Sequence, residues 1–336
     1  MKTILLIGTG GTIASTKGKN GIAPEYDTNK LLELVPEVLE TYKIHSIQIS
    51  NIDSTNIQSE HWLRIADTIQ KNYEDYDGFV ITHGTDTMAY TAAAISYLIQ
   101  NSRKPIVITG SQKTMMEVNT DAARNLRDSL RFASGDIGGV FVVFGGKVIN
   151  GCRAVKVRTK SINAYESVNL PAVAVVNEEG IKPDPQYLVP HDTEGLKYYS
   201  SLCNDVFLLK LTPGISPDIF DFIKQKYKGV VIESFGSGGI PFMGKANILD
   251  KIEDLVCSGV IVVITTQCLF EGGNLNLYEV GRKVMETKII PAYDMTTEAA
   301  VIKLMWVLSR KAEFNEIKDL FLTPIGNDLV CNDKTQ

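Results

Sequence analysis

The sequence predicts an α/β fold in two domains. The larger, N-terminal one is doubly wound, of the Rossmann or flavodoxin-like kind, and the smaller C-terminal one is an α/β domain with its own parallel sheet. Three observations predict this. Strand and helix signals alternate from the first residues onward; a proline-rich stretch over about 177–204 interrupts the rhythm, which then resumes; and 336 residues exceed what one core usually organises. The boundaries that follow are 1–185 for the first domain, 186–204 for a linker and 205–336 for the second.

Residues 3–7 are a short β-rich apolar run ended by Gly8, Gly10 and Gly11. Over 44–52, Ile47 and Ile49 alternate with polar neighbours, the period of a half-buried strand. Ser59 has the chemistry of an N-cap, and Trp62, Ile65, Ala66, Ile69 and Tyr73 behind it fall on one helical face. Gly78–Thr82 reads as the next strand and 87–100 as the next helix. Strands at Pro105–Thr109 and Gly139–Phe144 follow, separated by a helix at Ala122–Ala133. Strands separated by helices are joined by right-handed crossovers, so the sheet is expected to be parallel and covered on both faces. Pro183, Pro185 and Pro190, set among polar residues, mark the linker. Beyond it, 206–211, 229–233 and 260–265 read as strands, with helical patterns between and after them ending near Phe321.

Composition excludes several function classes. Hydrophobic content of 44% and charged content of 22% are ordinary globular values. A formal charge of -5, without any long block of Lys or Arg, argues against a nucleic-acid partner, because phosphate binding needs basic clusters. Residues 1–8 are too short and too soon broken by glycine for a secretory signal, and no apolar run reaches the roughly 18 residues of a membrane span. Five scattered cysteines with no CxxC pair read as free thiols in a reducing cytosol. Four histidines and no HExxH make a zinc site unexpected, and neither metal nor cofactor is expected.

In open parallel sheets, ligands bind at the carboxyl ends of the strands, so the loops there hold the candidates. The first is Gly8-Thr9-Gly10-Gly11-Thr12-Ile13. A dinucleotide fingerprint would need glycine where Ile13 stands, and the phosphate-binding G-x-x-x-x-G-K-[ST] fails as well. The glycines can still bring backbone N–H groups close to a ligand, or form a tight turn without chemistry. The second loop offers Asp53-Ser54-Thr55 and the third His83-Gly84-Thr85-Asp86-Thr87, where Thr85 or Asp86 can simply cap the helix that follows. A lone His83 reads better as a packed, hydrogen-bonded core residue than as a base. The fourth loop begins Thr109-Gly110-Ser111. These loops converge hydroxyls and carboxylates with a single histidine, and there is no G-x-S-x-G elbow. A hydroxyl nucleophile would need another base, for which a lysine made neutral by burial serves; periodicity does not choose among the lysines.

Thr9-Gly10-Gly11-Thr12-Ile13-Ala14 and His83-Gly84-Thr85-Asp86-Thr87-Met88 resemble the two signature segments of the bacterial-type L-asparaginase family, in order and after the first and third strands. The resemblance continues through Asp53-Ser54-Thr55, Thr109-Gly110-Ser111, Gly151-Cys152-Arg153-Ala154-Val155-Lys156, the run Phe235-Gly236-Ser237-Gly238-Gly239 and Thr265-Thr266-Gln267, covering nearly the whole chain. The wording of 82–91 and the lack of a signal segment point to the cytoplasmic, type I branch. The resemblance implies that Thr12 attacks the side-chain amide of L-asparagine, forming an aspartyl ester that water then releases. Thr85, Lys156 and Asp86 would be the supporting triad, with Lys160 read as a solvated loop lysine. Asp86 would also take the α-ammonium of the substrate, Ser54 and nearby N–H groups its α-carboxylate, and Asp53, Thr55 and Thr85 would complete the substrate-binding set. Glycine-flanked amides near Thr12 and Thr85 would line an oxyanion hole. Where the family has a lid tyrosine this chain has Ile22, leaving Tyr26 as a candidate replacement. A homodimer or tetramer is implied by the same resemblance.

Three rivals share these residues. The glutaminase subunit of a tRNA-dependent amidotransferase has an extra N-terminal domain, whereas here the first strand begins at residue 3, so a free-standing enzyme is the expectation. A non-catalytic amino-acid sensor would have no need of Thr12, Thr85, Asp86 and Lys156. A lysophospholipase would need an apolar groove that the sequence does not suggest. Some cytoplasmic relatives carry an allosteric asparagine site built on a threonine, an arginine and a cysteine. The matching positions here hold Val155, Glu233 and Cys268, so no such site is expected.

Overall fold

Four consecutive apolar residues, Ile4, Leu5, Leu6 and Ile7, are wholly buried in strand β1 (Thr3–Gly10), which requires a sheet covered on both faces. The structure, a computed structural model, describes residues 1–18, 21–187, 195–244, 247–276 and 288–330. The chain divides into two units, Met1–Ser200 and Ser201–Gln336.

In the first unit β1 pairs in parallel with β2 (Lys43–Ile52) on one side and with β3 (Gly78–Thr82) on the other. β4 (Pro105–Thr109) and β5 (Gly139–Phe144) continue the parallel run. Three more strands extend the sheet antiparallel: β6 (Lys147–Asn150), β7 (Ala174–Asn177) and β8 (Gly180–Pro183), giving the order β8-β7-β6-β5-β4-β3-β1-β2. The strands expected from the sequence run parallel, and these three further ones make the sheet mixed. The cause is local: Gly145 and Gly146, at φ of 59° and 79°, turn the chain back from β5 straight into β6, with no crossover to carry it round to run parallel. The proline-rich stretch likewise begins inside this sheet, since β8 lies at 180–183 with Pro183 on its edge, where a missing N–H breaks no ladder. Further on, Lys197–Tyr198 pairs with Ile99–Gln100, while 188–194 fall outside the described residues.

Helix α1 (Ser59–Lys71) buries Trp62, Ile65, Ala66 and Ile69, the face expected from their spacing. Its N-cap is Gln58 and not Ser59: the Gln58 backbone N–H donates to His61 Nδ1 at 3.0 Å, which closes a capping box. Helix α2 (Met88–Leu98) is buried almost all round, and helix α3 (Ala122–Ala133) packs Leu126 and Leu130 into the first core.

In the second unit β9 (Val206–Lys210), β10 (Gly229–Ser234), β11 (Ile261–Thr266) and β12 (Ile289–Pro291) form a parallel sheet in sequence order. Helices α4 (Asp218–Lys226), α5 (Leu249–Cys257), α6 (Thr297–Leu308) and α7 (Phe314–Leu322) accompany it. Val230, Ile232, Val262 and Ile264 form its core with Phe220, Ile223, Ile252 and Leu255. Among the described residues no helix is long and apolar enough to cross a membrane.

Candidate active site

Three strand-end loops of the first unit meet with no space between their backbones. A Cβ on Gly11 would lie 2.2 Å from the Gly84 nitrogen, and one on Gly84 would lie 2.6 Å from Ser54 Oγ. Only glycine permits that approach, and Gly11 also adopts a φ of 81° that other residues avoid. The Gly11 N–H donates to Ile52 O at 3.0 Å, the Thr9 hydroxyl to Thr82 O at 2.7 Å, and the Thr87 hydroxyl to Ser54 O at 2.7 Å. The loops after β1, β2 and β3 are therefore one braced surface.

Thr12 opens a short 3-10 turn, Thr12–Ala14, directly after Gly11. Its side chain is half-buried, and its hydroxyl makes no hydrogen bond among the described residues. Thr85 is buried at 5% exposure. Lys156 Nζ donates to Thr85 Oγ1 at 2.8 Å and to Asp86 Oδ1 at 2.6 Å. Asp86 is exposed and Lys156 mostly covered, so the lysine bridges a buried hydroxyl and a solvated carboxylate. Lys156 ends one strand of a hairpin, Ala154–Lys156 against Tyr165–Ser167, whose connecting loop carries the exposed Lys160. A lysine so placed is within reach to pass a proton to or from a threonine hydroxyl.

The structure brings Thr85, Asp86 and Lys156 into direct contact, and neither Thr85 nor Asp86 caps helix α2, whose N-cap is Thr87. Ser54 is buried against Gly84. Asp53 is the N-cap of the short turn Ser54–Asn56, accepting from the Thr55 N–H and the Thr55 hydroxyl, both at 2.8 Å, so it and Thr55 frame Ser54. Tyr26 packs partly buried against the first core, with its N–H on Ala14 O at 2.9 Å, two residues beyond Thr12. Ile22 lies in the strand Gly21–Pro24, and its side chain falls outside the described residues. His83 is fully buried and is held on both sides, Nδ1 by Gly84 O at 2.6 Å and Nε2 by the Thr91 hydroxyl at 2.9 Å. Among the described residues no three of His, Cys, Asp or Glu gather as metal ligands would.

Residues 3–187 match the family model for the asparaginase N-terminal domain, and residues 205–321 match that for the glutaminase/asparaginase C-terminal domain. The chain belongs to the asparaginase family. It is 39% identical over 332 residues to an L-asparaginase of Thermococcus kodakarensis, covering 97% of this chain and 98% of that one. The solved structure of the thermostable L-asparaginase from the same organism superposes with a TM-score of 0.93 over 98% of this chain and 100% of that one, at 38% identity. L-asparaginase I of Vibrio cholerae superposes with a TM-score of 0.87 at 30% identity, over 98% of this chain and 99% of that one. A glutamyl-tRNA(Gln) amidotransferase component from Pyrococcus abyssi is 36% identical over 342 residues, spanning 97% of this chain and 76% of that protein.

Two residues of this asparaginase-family site were not among those expected from the sequence. Gln112 accepts the Thr85 hydroxyl at Oε1, 3.3 Å away, while its Nε2 donates to Ser161 O at 3.1 Å and Arg158 O at 3.4 Å, which fixes the amide's orientation. Its own backbone N–H is held by Asp121 at 3.0 Å. Its place just after Thr109-Gly110-Ser111 was the available signal. Tyr165 donates its hydroxyl to the Thr85 carbonyl. It had no signal, because it meets Thr85 only through antiparallel pairing across a turn.

Proposed function

We propose that this asparaginase-family enzyme hydrolyses L-asparagine to L-aspartate and ammonia, with Thr12 as nucleophile and Thr85, Lys156 and Asp86 as the set that moves its protons. The observation that carries the reading is the Lys156 amine within hydrogen-bond reach of both Thr85 Oγ1 and Asp86, beside a Thr12 hydroxyl uncommitted among the described residues. Thr12 Oγ1 bonds to the amide carbon as its proton leaves toward the Thr85–Lys156 pair. The carbon–nitrogen bond then breaks, and the leaving nitrogen takes that proton as ammonia. Water attacks the aspartyl ester, aspartate leaves, and the Thr12 hydroxyl is restored. Asp86 takes the substrate's α-ammonium; Ser54, framed by Asp53 and Thr55, takes its α-carboxylate; amides beside Gly11 and Gly84 hold the developing oxyanion. The enzyme works without a cofactor, in the cytoplasm, as a homodimer or a tetramer.

Thr12→Ala and Thr85→Ala should each abolish ammonia release from asparagine while leaving the fold intact. A Thr12→Ala variant keeping more than about a tenth of the activity, a barrier change under roughly 1.4 kcal/mol, would remove Thr12 as nucleophile. Asparagine should be strongly preferred. Gripping both α-groups fixes the amide's distance from Thr12, glutamine is one methylene longer, and a misplacement of about 1 Å can cost on the order of a hundredfold. A second reading, amide release from glutamine, draws on the resemblance to the glutamyl-tRNA(Gln) amidotransferase component. Comparable kcat/KM for the two amino acids would favour it.

A further inference from the structure

The hairpin that carries Lys156 carries Tyr165 directly across from it, Lys156 and Tyr165 being register partners in the antiparallel ladder. Residues opposite one another in such a pair project to the same face. Both reach a single residue on the loop after β3. The lysine amine donates to the Thr85 side-chain oxygen at 2.8 Å, and the tyrosine hydroxyl donates to the Thr85 backbone carbonyl. Thr85 is thereby held at two points by one ladder. Its carbonyl needs that partner: helix α2 begins its backbone bonding with Thr91 N–H on Thr87 O, so Thr85 lies outside the helical ladder. Tyr165 is 2% exposed, and its ring packs on Phe144 with centroids 5.2 Å apart, which prevents the phenol from swinging away. A phenylalanine would fill nearly the same space, and only the hydroxyl sets the carbonyl.

We infer that Tyr165 is a positioning residue for amide hydrolysis. Its hydroxyl fixes the Thr85 backbone against the strand that carries Lys156, and so sets the distance between the Thr85 hydroxyl and the lysine amine. The inference rests on the functional reading above, in which that pair handles the proton. It predicts a defect centred on turnover: Ser54 stands on another loop, and the Asp86 carboxylate, though one peptide bond from the Thr85 carbonyl, is held directly by Lys156 at 2.6 Å.

Steady-state kinetics with asparagine on Tyr165→Phe test this directly. The expected result is a fall in kcat of about tenfold or more with KM within about twofold of the parent, since small misplacements of reacting groups act on the barrier. Unchanged kcat, or a rise in KM alone, overturns the inference. Should Tyr165→Phe fold poorly, two residues of similar size installed at position 165 separate shape from hydrogen bonding. 4-Aminophenylalanine, which keeps a donor, must retain kcat, and 4-methylphenylalanine, which has none, must lose it; equal rates for the two overturn the inference as well. Thr85→Ala and Lys156→Met run beside them. If those two stay active, the functional reading itself fails. If they are inactive while Tyr165→Phe turns over normally, only the role of Tyr165 is lost.

Discussion

His83 shows how one residue in a signature segment can serve the site without touching substrate. The Gly84 carbonyl at 2.6 Å fixes the proton on Nδ1, so Nε2 accepts from Thr91, whose oxygen in turn accepts from the Trp62 indole at 2.9 Å. Burial lowers the His83 pKa to about 4, against a pull upward from the Gly84 carbonyl and a further push down from His61. The imidazole is therefore neutral in the folded protein, whereas in the unfolded chain it titrates near 6.5. Below that value the unfolded state binds the extra proton, so the stability His83 contributes is present above pH 6.5 and is lost as pH falls toward about 4. The difference amounts to roughly 3 kcal/mol. Melting temperature should fall through that window, and His83→Gln should flatten the slope there; an unaltered slope would clear His83 as its cause. The packed, hydrogen-bonded reading of His83 was legible because a lone histidine at the end of a buried strand has few other uses. Gln112 and Tyr165 were not, because their partners come from loops that sequence spacing does not relate.

Legibility among the elements followed connection type. β1, β3, β4 and β5 could be read because helices follow or precede them and their apolar runs are continuous. The strands β6, β7 and β8 could not: they are short, β6 follows β5 through the Gly145-Gly146 turn, and β7 meets β8 across Glu178-Glu179, with no helix between. The hairpin that brings Lys156 to Thr85 lies between β6 and β7, so the same blind spot hid that lysine until a family resemblance supplied it. Helix α6 raises a separate matter. Glu298 stands in its first turn, where burial, aided by the Glu233 carboxylate and opposed by the helix's own N–H groups, pushes its pKa up to about 7 from an ordinary 4.5. With the folded value raised, the associated stability is full below pH 4.5 and is lost as pH rises through about 7, a penalty of up to about 3 kcal/mol. Glu298→Gln should therefore raise the melting temperature at pH 8 and change it little at pH 4. An equal shift at both pH values would show that packing, and not charge, is responsible.

At the scale of the whole molecule, kinetics should be simple. The Glu233 carboxylate accepts the Thr297 hydroxyl at 2.7 Å and lies 3.8 Å from Lys210, so it presents negative charge where an arginine fork would have to receive an effector's carboxylate. Without a differential contact there is no population to shift, and velocity against asparagine should be hyperbolic with a Hill coefficient near 1. A sigmoidal curve that survives Cys268→Ala would show that the effector positions are wrongly mapped. The pairing of β1 with strands that follow it in the chain has a consequence for biosynthesis. It leaves the ribosome before both of its neighbours, β2 and β3, the second of which ends at Thr82. At roughly 5–20 residues per second, the wait for both is on the order of ten seconds, during which Ile4, Leu5, Leu6 and Ile7 lack at least the β3 side of their sheet. Codon choice across 11–82, and the chaperones that meet this segment at the exit tunnel, should then govern the yield of active enzyme more than any later part of the message.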